Sequence, residues 1–392
     1  MSPIEAGKPL VKSINDTYSK RLLTFNNYNI TGSVGNFHKV KGFDKYNSLL
    51  DINSMFSNGP RFEPVDRTQR VLGPINYSPE RAWRVPDREL SLELALEQRV
   101  LDLCSTGEKL NLLWSGGIDS TAILVSFLQY APDLTQCRVV YSPWSTYEHP
   151  DFFKLLKTID KIELVDTSGE FYLSSTLDGI IVSGNTSDEI HASIDKSFLE
   201  TYGYGSLSMP WRDFFYNKLP DDRFIDFCDW YFSAAGRDIN TVLEARWWFY
   251  ASSKLTSILN ITNLAFFTAG PEWFDPKRLV GFFDCDVYEQ FIYYNIDQLI
   301  PSDDYATWRQ FLKDYCYRYD GFEDWRKNKS KFGSNQIQIY TRKKQILNNS
   351  RNLMLLDNGE RVATDNLPFF SAAEWEPLKE KYQHVFRTPY SV

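Results

Sequence analysis

Residues 115–120 read Ser-Gly-Gly-Ile-Asp-Ser, and these residue types can together hold a phosphate group and a metal ion. Apolar residues precede this first loop at 110 and 112–114, and after it Ile123, Leu124 and Phe127 share one face. The pattern therefore predicts a strand, a turn and a helix. Unpaired N–H groups and the helix dipole favour an anion at such a turn, and glycine lets it approach the backbone. Serine hydroxyls add donors, and the aspartate can bind a divalent cation beside a polyphosphate. A strand-turn-helix without a ligand would also use glycines, but the loop matches neither the Walker nor the Rossmann fingerprint.

A second loop, residues 183–189, repeats this logic with the residues Ser-Gly-Asn-Thr-Ser-Asp-Glu after the apolar run 180–182. Its adjacent carboxylates are Asp188 and Glu189. Two acids from separate strand ends can share one Mg²⁺ on a pyrophosphate, which a single acid holds poorly. Taken alone, the second loop is explained equally well by a helix N-terminus, where acidic residues are common.

The elements that must position the two loops alternate along the chain. The pattern predicts strands over 110–114, 137–141, 162–165 and 179–184. It predicts helices over 91–104 and from the first loop to about 130. Residues 195–315 have helical patterns, including 245–259 and 287–299. This alternation predicts an α/β fold with a doubly wound parallel sheet. Ligands of such sheets bind beyond the carboxyl ends of the strands, where the first loop falls.

Three regions are predicted along the 392 residues. Residues 1–90 carry closely spaced Asn, Tyr, Gly and Pro, which predicts an irregular, partly β N-terminal appendage. Residues 91–335 hold both loops and form the main domain, with a helical C-terminal part. Residues 336–392 form a small β-containing appendage, in which strand-like segments occur at 336–340 and before the Asn-Gly turn at 358–359, a hairpin signal.

Composition narrows the class of protein. A formal net charge of −8 argues against a general nucleic-acid-binding surface. No apolar run reaches the roughly 18 residues of a membrane span, and the N-terminus lacks an apolar signal core, so we expect a cytoplasmic protein. Five scattered cysteines without a Cys-x-x-Cys pair, and four dispersed histidines, argue against zinc sites and disulfides.

Taken together, the two loops resemble the synthetase domain of the asparagine synthetases and of the β-lactam-forming synthetases, within the PP-loop ATP pyrophosphatases. That family carries Ser-Gly-Gly-x-Asp-Ser and, at a later strand end, Ser-Gly-x-Gly-x-Asp-Glu. The resemblance covers roughly residues 90–335. It implies an adenine nucleotide alpha hydrolase-like fold, with ATP and Mg²⁺ as cofactors. It also implies attack of a carboxylate on the α-phosphate, which gives an acyl-adenylate and pyrophosphate, followed by attack of a nitrogen nucleophile on the acyl carbon.

The resemblance further implies roles for individual residues. Phosphate groups would be bound by Ser115, Gly116, Gly117 and Ser120. The rest of ATP would be contacted by Leu113, Val140, Ser142, Ser183 and Gly184. Mg²⁺ would be bound by Asp119 and Asp188, with Glu189 beside them. In family members a Lys shortly before a Phe stabilises charge on the reacting groups, and Lys329 fits best by its spacing to Phe332. Lys327 and Lys331 are rivals, and a solvated basic run explains this segment equally well.

The chain departs from the family pattern at several positions. Asn185 stands where the family often has Glu or Tyr, and a neutral amide cannot act as a general base. Thr186 replaces a Gly, so a different loop geometry is expected. Lys277 and Leu279 replace a Glu and an Arg, so the usual substrates are not expected. No cysteine precedes Cys104, so glutamine hydrolysis within this chain is not expected either.

We therefore expect an AMP-forming ligase that joins a small-molecule carboxylate to an amine or ammonia, acting away from membranes. One alternative is a PP-loop enzyme that adenylates a nucleobase or nucleic-acid substrate; another is a degenerate, non-catalytic module. Asn185 favours the degenerate module, and the retained Asp119 and Asp188 argue against it. The sequence leaves open the two substrates, the general base, the role of residues 1–90 and the oligomeric state, a homo-oligomer included.

Overall fold

A computed structural model describes residues 44–56, 66–71, 81–167, 174, 176–192, 198, 201–256, 276–299 and 309–329, and the backbone of 354–355 and 361–362. Within these residues the chain has an α/β fold with a central sheet of five parallel strands. The strands are β1 (Leu110–Leu113), β2 (Cys137–Tyr141), β3 (Glu163–Asp166), β4 (Ile180–Ser183) and β5 (Leu279–Gly281).

The order across the sheet is β3-β2-β1-β4-β5. The chain moves outward from β1 to β3 and then returns to place β4 on the other side of β1. The order therefore reverses between β1 and β4, and the crevice at the carboxyl ends of these two strands is where open α/β sheets bind ligands. The first loop follows β1 and the second loop follows β4, so both open onto this crevice.

Twelve α-helices accompany the sheet in the part of the chain that the structure describes. They are α1 (Asp44–Phe56), α2 (Leu92–Cys104), α3 (Ile118–Tyr130), α4 (Pro143–Glu148), α5 (Pro150–Leu156), α6 (Ser187–Ile190), α7 (Trp211–Lys218), α8 (Asp222–Phe232), α9 (Val242–Phe249), α10 (Asp286–Tyr294), α11 (Gln310–Asp320) and α12 (Glu323–Asn328). None of the described helices is long and apolar enough to cross a bilayer.

Helix α3 lies at the centre of this assembly. Residues 120–127 are buried without interruption, because α3 packs against α2 and α11 as well as the sheet. Its partner α11 is fixed in place by Tyr315, whose hydroxyl donates to the Ser126 hydroxyl at 3.2 Å. The helix that begins at the first loop is therefore held rigidly by the core.

The first four strands lie within one residue of the predicted bounds, and the helices at 91–104 and after the first loop are also confirmed. The helical reading of 195–315 was wrong at β5, whose three residues are too few for a periodic signal. Pairing in register with β4, Ile181 with Leu279 and Ser183 with Gly281, forms this strand. The predicted helix 245–259 begins earlier, at Val242, and continues as a π-helix over Tyr250–Lys254. The predicted helix 287–299 ends at Tyr294 and is followed by a 3₁₀ turn.

The N-terminal region was predicted to be irregular and partly β, but residues 44–56 form helix α1. Its apolar face, including Leu49 and Phe56, is buried in the same core as the sheet. Residues 66–71 are also held against the main unit, because Nη1 of Arg67 lies 2.7 Å from Oε1 of the buried Glu289 on α10. The described part of residues 1–90 is thus packed into the main unit rather than appended to it.

At the other end of the chain, the described backbone contains β6 (Met354–Leu355) and β7 (Arg361–Val362). They pair antiparallel, Met354 with Val362 and Leu355 with Arg361, as the hairpin prediction requires. The predicted strand at 336–340 lies outside the described residues.

Candidate active site

The first loop makes a turn that only glycine fits at position 116. Gly116 has a φ of +75°, and a Cβ placed there would lie 2.4 Å from the Ser145 carbonyl oxygen and 2.6 Å from Cβ of Glu148. The loop is therefore pressed against helix α4. Gly117 is the N-cap of α3 and provides no side-chain cap at the positive end of this helix dipole.

The two serines of the first loop bind each other and the backbone. Their hydroxyls lie 3.0 Å apart, and the Ser115 N–H donates to Oγ of Ser120 at 3.1 Å. The Gly117 N–H donates to Oγ of Ser115 at 3.3 Å. The hydroxyls are thus held at the mouth of the turn, next to the helix N-terminus.

The second loop lies directly against the first. A Cβ on Gly184 would be 3.3 Å from Cβ of Asp119 and 3.3 Å from Cδ1 of Ile123, so the close approach of the loops requires glycine. Ser187 completes the contact, because its hydroxyl donates to Oδ1 of Asp119 at 2.5 Å. The adjacency expected for the ends of two neighbouring parallel strands is present.

Arg309 joins the two aspartates. Its Nη1 pairs with Oδ2 of Asp119, and its Nη2 pairs with Oδ1 of Asp188. The arginine side chain is only 12% exposed, and its backbone, with a φ of +64°, immediately precedes α11. One positive group thus sits between carboxylates that reach it from the first turns of two helices, α3 after β1 and α6 after β4.

Glu189 behaves differently from the neighbouring Asp188. Its buried carboxylate pairs with Nζ of Lys254 at 3.4 Å, whereas Asp188 pairs with Arg309. Adjacent residues on a helix point about 100° apart, which explains the divergence. No group of three or more His, Cys, Asp or Glu side chains that could hold a metal exists among the described residues. The geometry therefore favours a pair of carboxylates, Asp119 and Asp188, without Glu189.

Lys329 reaches the opposite side of the first loop. Its ammonium group pairs with the carboxylate of Glu148, and the two side chains are 7% and 3% exposed. Since Glu148 packs against Gly116, the ion pair adjoins the predicted phosphate turn. The rival Lys327 pairs with Glu323 at 3.0 Å and is 53% exposed. Lys331 lies outside the described residues.

The environment of Lys329 is strongly desolvated. His149 is buried and stacks on Trp325, with ring centroids 4.5 Å apart and planes 10° from parallel. Burial, together with the positive charge of Lys329, lowers the pKa of His149 to about 3, so this imidazole is neutral at physiological pH. Lys313 donates to the Lys329 carbonyl at 3.1 Å, and burial and the same charge lower its pKa to about 8.

The remaining predicted residues lie at the carboxyl ends of the strands. Leu113 and Val140 are paired in register between β1 and β2. Ser142 is buried as the N-cap of α4 and exchanges hydrogen bonds with Ser145, so its hydroxyl is committed to the helix start. Ser183 accepts from the Asn185 N–H at 3.2 Å.

Arg309 and Glu148 were missed by sequence reasoning. Arg309 lies 190 residues from Asp119, and Glu148 lies 181 residues from Lys329, so neither pairing leaves a local signature. An isolated Arg or Glu has no spacing that separates it from ordinary surface charge.

Comparison of the chain with models of protein families, with curated proteins and with solved structures gave no match. The functional interpretation therefore depends on the residues and the geometry of the site.

Proposed function

We propose that this protein is a PP-loop enzyme that cuts ATP between the α and β phosphates and uses the AMP moiety to activate a carboxylate for amide formation. The observation that carries the proposal is the convergence of Asp119 and Asp188 on a single cationic group, beside the N-terminus of α3. A turn of this kind accepts phosphate oxygens, and paired acids at its edge suit a metal-bound pyrophosphate. The loop sequences, which resemble those of the asparagine synthetase group, agree with this arrangement.

The fit of a magnesium ion can be judged from Arg309. Its guanidinium bridges the two carboxylates, which demonstrates that both can face one positive charge. Carboxylate oxygens are the ligands that Mg²⁺ uses together with phosphates. Asp119 and Asp188 would hold the ion, which would supply charge neutralisation for the departing pyrophosphate.

Several residues of the chain would act on the nucleotide itself. The Gly116 turn and the first N–H groups of α3 would bind phosphate oxygens. Lys329 would stabilise negative charge near the α-phosphate, and its desolvated surroundings strengthen that interaction. Arg309 is suited to binding phosphate oxygens once the carboxylates bind another cation, because guanidinium is a good phosphate ligand.

Exchange of labelled pyrophosphate into ATP tests the proposal, with candidate carboxylates supplied as amino acids, modified nucleotides and other acids. We expect at least one carboxylate to support exchange. Asp119→Asn and Asp188→Asn should each reduce exchange at least about 100-fold, since loss of a metal ligand removes several kcal/mol of charge stabilisation.

Asp178→Asn is the matched control. Asp178 lies before the amino end of β4, away from the crevice at the carboxyl ends, and its exposed carboxylate pairs with Arg138. Exchange should be unchanged in this variant. Exchange that survives in both site variants would refute the assigned role of the aspartates.

A binding module without catalysis is the second candidate, and Arg309 is the observation that favours it. A guanidinium already pairs with both acids, so a metal ion is not required to bring the two carboxylates together. Under this hypothesis the chain binds ATP but exchanges no pyrophosphate with any carboxylate.

A further inference from the structure

Behind Asp119, a line of buried polar groups extends away from the crevice into the core. Ser187 donates to Oδ1 of Asp119 at 2.5 Å. Oγ of Ser187 lies 2.9 Å from Nδ1 of His191, and Nε2 of His191 lies 2.7 Å from the Tyr288 hydroxyl. All three of these side chains are at most 4% exposed. They connect α6 to α10.

The direction of each hydrogen bond follows from the carboxylate. An ionised aspartate only accepts, so the Ser187 hydroxyl must donate to it. The same hydroxyl oxygen then accepts from Nδ1–H of His191, which leaves Nε2 as the acceptor for Tyr288. Only the Nδ1–H form of neutral His191 satisfies all three contacts.

The other two proton arrangements of His191, with the proton on Nε2 or on both nitrogens, lose hydrogen bonds or bury a charge. With the proton on Nε2, the Ser187 hydroxyl would turn to Nδ1, and two oxygens would face each other at 2.5 Å without a hydrogen between them. The Tyr288 hydroxyl would also lose its acceptor in the core, which is costly for a buried group. Protonation of both nitrogens would bury a charge among the rings of Phe283 and Phe311.

We propose that Ser187, His191 and Tyr288 are positioning residues that hold the Asp119 carboxylate by Oδ1 and leave Oδ2 directed at the cation in the crevice. We call Ser187, His191 and Tyr288 the relay. Arg309 contacts Oδ2 of Asp119, which is the oxygen that the relay leaves available. The relay sets the orientation of a carboxylate ligand and touches no substrate. Its link to metal binding rests on the proposed function; its proton arrangement does not.

The proton arrangement is tested by long-range ¹H–¹⁵N correlation spectra of the whole protein at neutral pH, without ATP or metal. The chain has four histidines, so His191→Asn identifies the His191 signals by difference. We expect Nδ1 protonated and Nε2 unprotonated, whereas free neutral imidazole prefers the opposite form. A proton on Nε2, alone or with Nδ1, would overturn the relay.

The positioning role is tested by Mn²⁺ binding, followed by electron paramagnetic resonance. His191→Leu and Ser187→Ala break the donation toward Asp119 and should weaken Mn²⁺ binding by about 10- to 100-fold, as loss of groups that orient metal ligands does. His191→Asn places an amide N–H near the position of Nδ1–H and should retain most of the affinity. Equal affinity in the Asn and Leu variants would reduce His191 to a packing residue.

The two proposals fail in different ways. Absence of pyrophosphate exchange in the wild type, with the Nδ1–H form of His191 and the Mn²⁺ effects intact, would refute adenylation and retain the relay. Exchange in the wild type with a proton on Nε2 would retain adenylation and refute the relay.

Discussion

Replacement of His149 by Gln should change how the stability of the protein depends on pH. The imidazole is buried against Trp325 and near Lys329, and these surroundings lower its pKa from 6.5 to about 3. In the unfolded chain it returns to its ordinary value. Between the two pKa values the unfolded state therefore binds the extra proton, and the free energy of unfolding falls as the pH falls.

The size of the effect follows from the two pKa values. Each pKa unit is about 1.4 kcal/mol, so the full difference is about 5 kcal/mol, reached below the folded pKa. The part that falls between pH 6.5 and about pH 4.5 is about 2 kcal/mol. Well above pH 6.5 both states are neutral and this contribution is fully retained.

Urea unfolding followed by tryptophan fluorescence, at several pH values across this window, measures the effect. His149→Gln loses the ring stack and should be less stable than the wild type at neutral pH, but this difference should shrink by about 2 kcal/mol on acidification. Lys157→Gln, at the exposed end of α5, should follow the wild type throughout. Parallel curves for wild type and His149→Gln would show that His149 titrates normally in the folded protein and would refute the reasoning.

Two further perturbations test the site. Gly116→Ala should lower the free energy of unfolding by at least about 2 kcal/mol, because it combines a left-handed backbone with overlap on the Ser145 carbonyl oxygen. Gly107→Ala has the same backbone strain but open space around the new methyl group. Thermal unfolding should therefore show a smaller loss of stability for Gly107→Ala than for Gly116→Ala. Arg309→Met removes the cation from both site aspartates. Mn²⁺ binding should become about tenfold tighter or more, which is roughly 1.4 kcal/mol. Arg318→Met, on the exposed side of α11, should leave Mn²⁺ binding unchanged. Equal losses at the two glycines, or unchanged Mn²⁺ binding in the Arg309 variant, would contradict the geometry.

The sheet could be predicted from the sequence wherever its strands are buried on both faces. Strands β1, β2 and β4 are mostly apolar, with exceptions such as Asn111 in β1 and Arg138 in β2, because neighbouring elements cover most of their residues. β5 has three residues and depends on pairing with β4, so it has no period of its own. Helix α1 was missed because polar residues such as Asp44 and Asn47 dilute a stripe that becomes apolar only where it meets α8 and α9.

The candidate site likewise has parts that could be predicted from the sequence and parts that could not. The two loops could be found because the turn after β1 and the turn after β4 each need glycine and acids at fixed spacing. Arg309 and Glu148 could not be found, because tertiary packing brings them to the loops from distant positions. The pairing of Glu189 with Lys254 also has no local signature, because adjacency in sequence to Asp188 does not show which way the helix turns each carboxylate.

Analysis of the products from ATP labelled in the α-phosphate tests the central claim most directly. With the carboxylate that supports pyrophosphate exchange, the wild type should release labelled AMP and unlabelled pyrophosphate, and Asp119→Asn should release neither. Labelled ADP and free phosphate would contradict cleavage between the α and β phosphates.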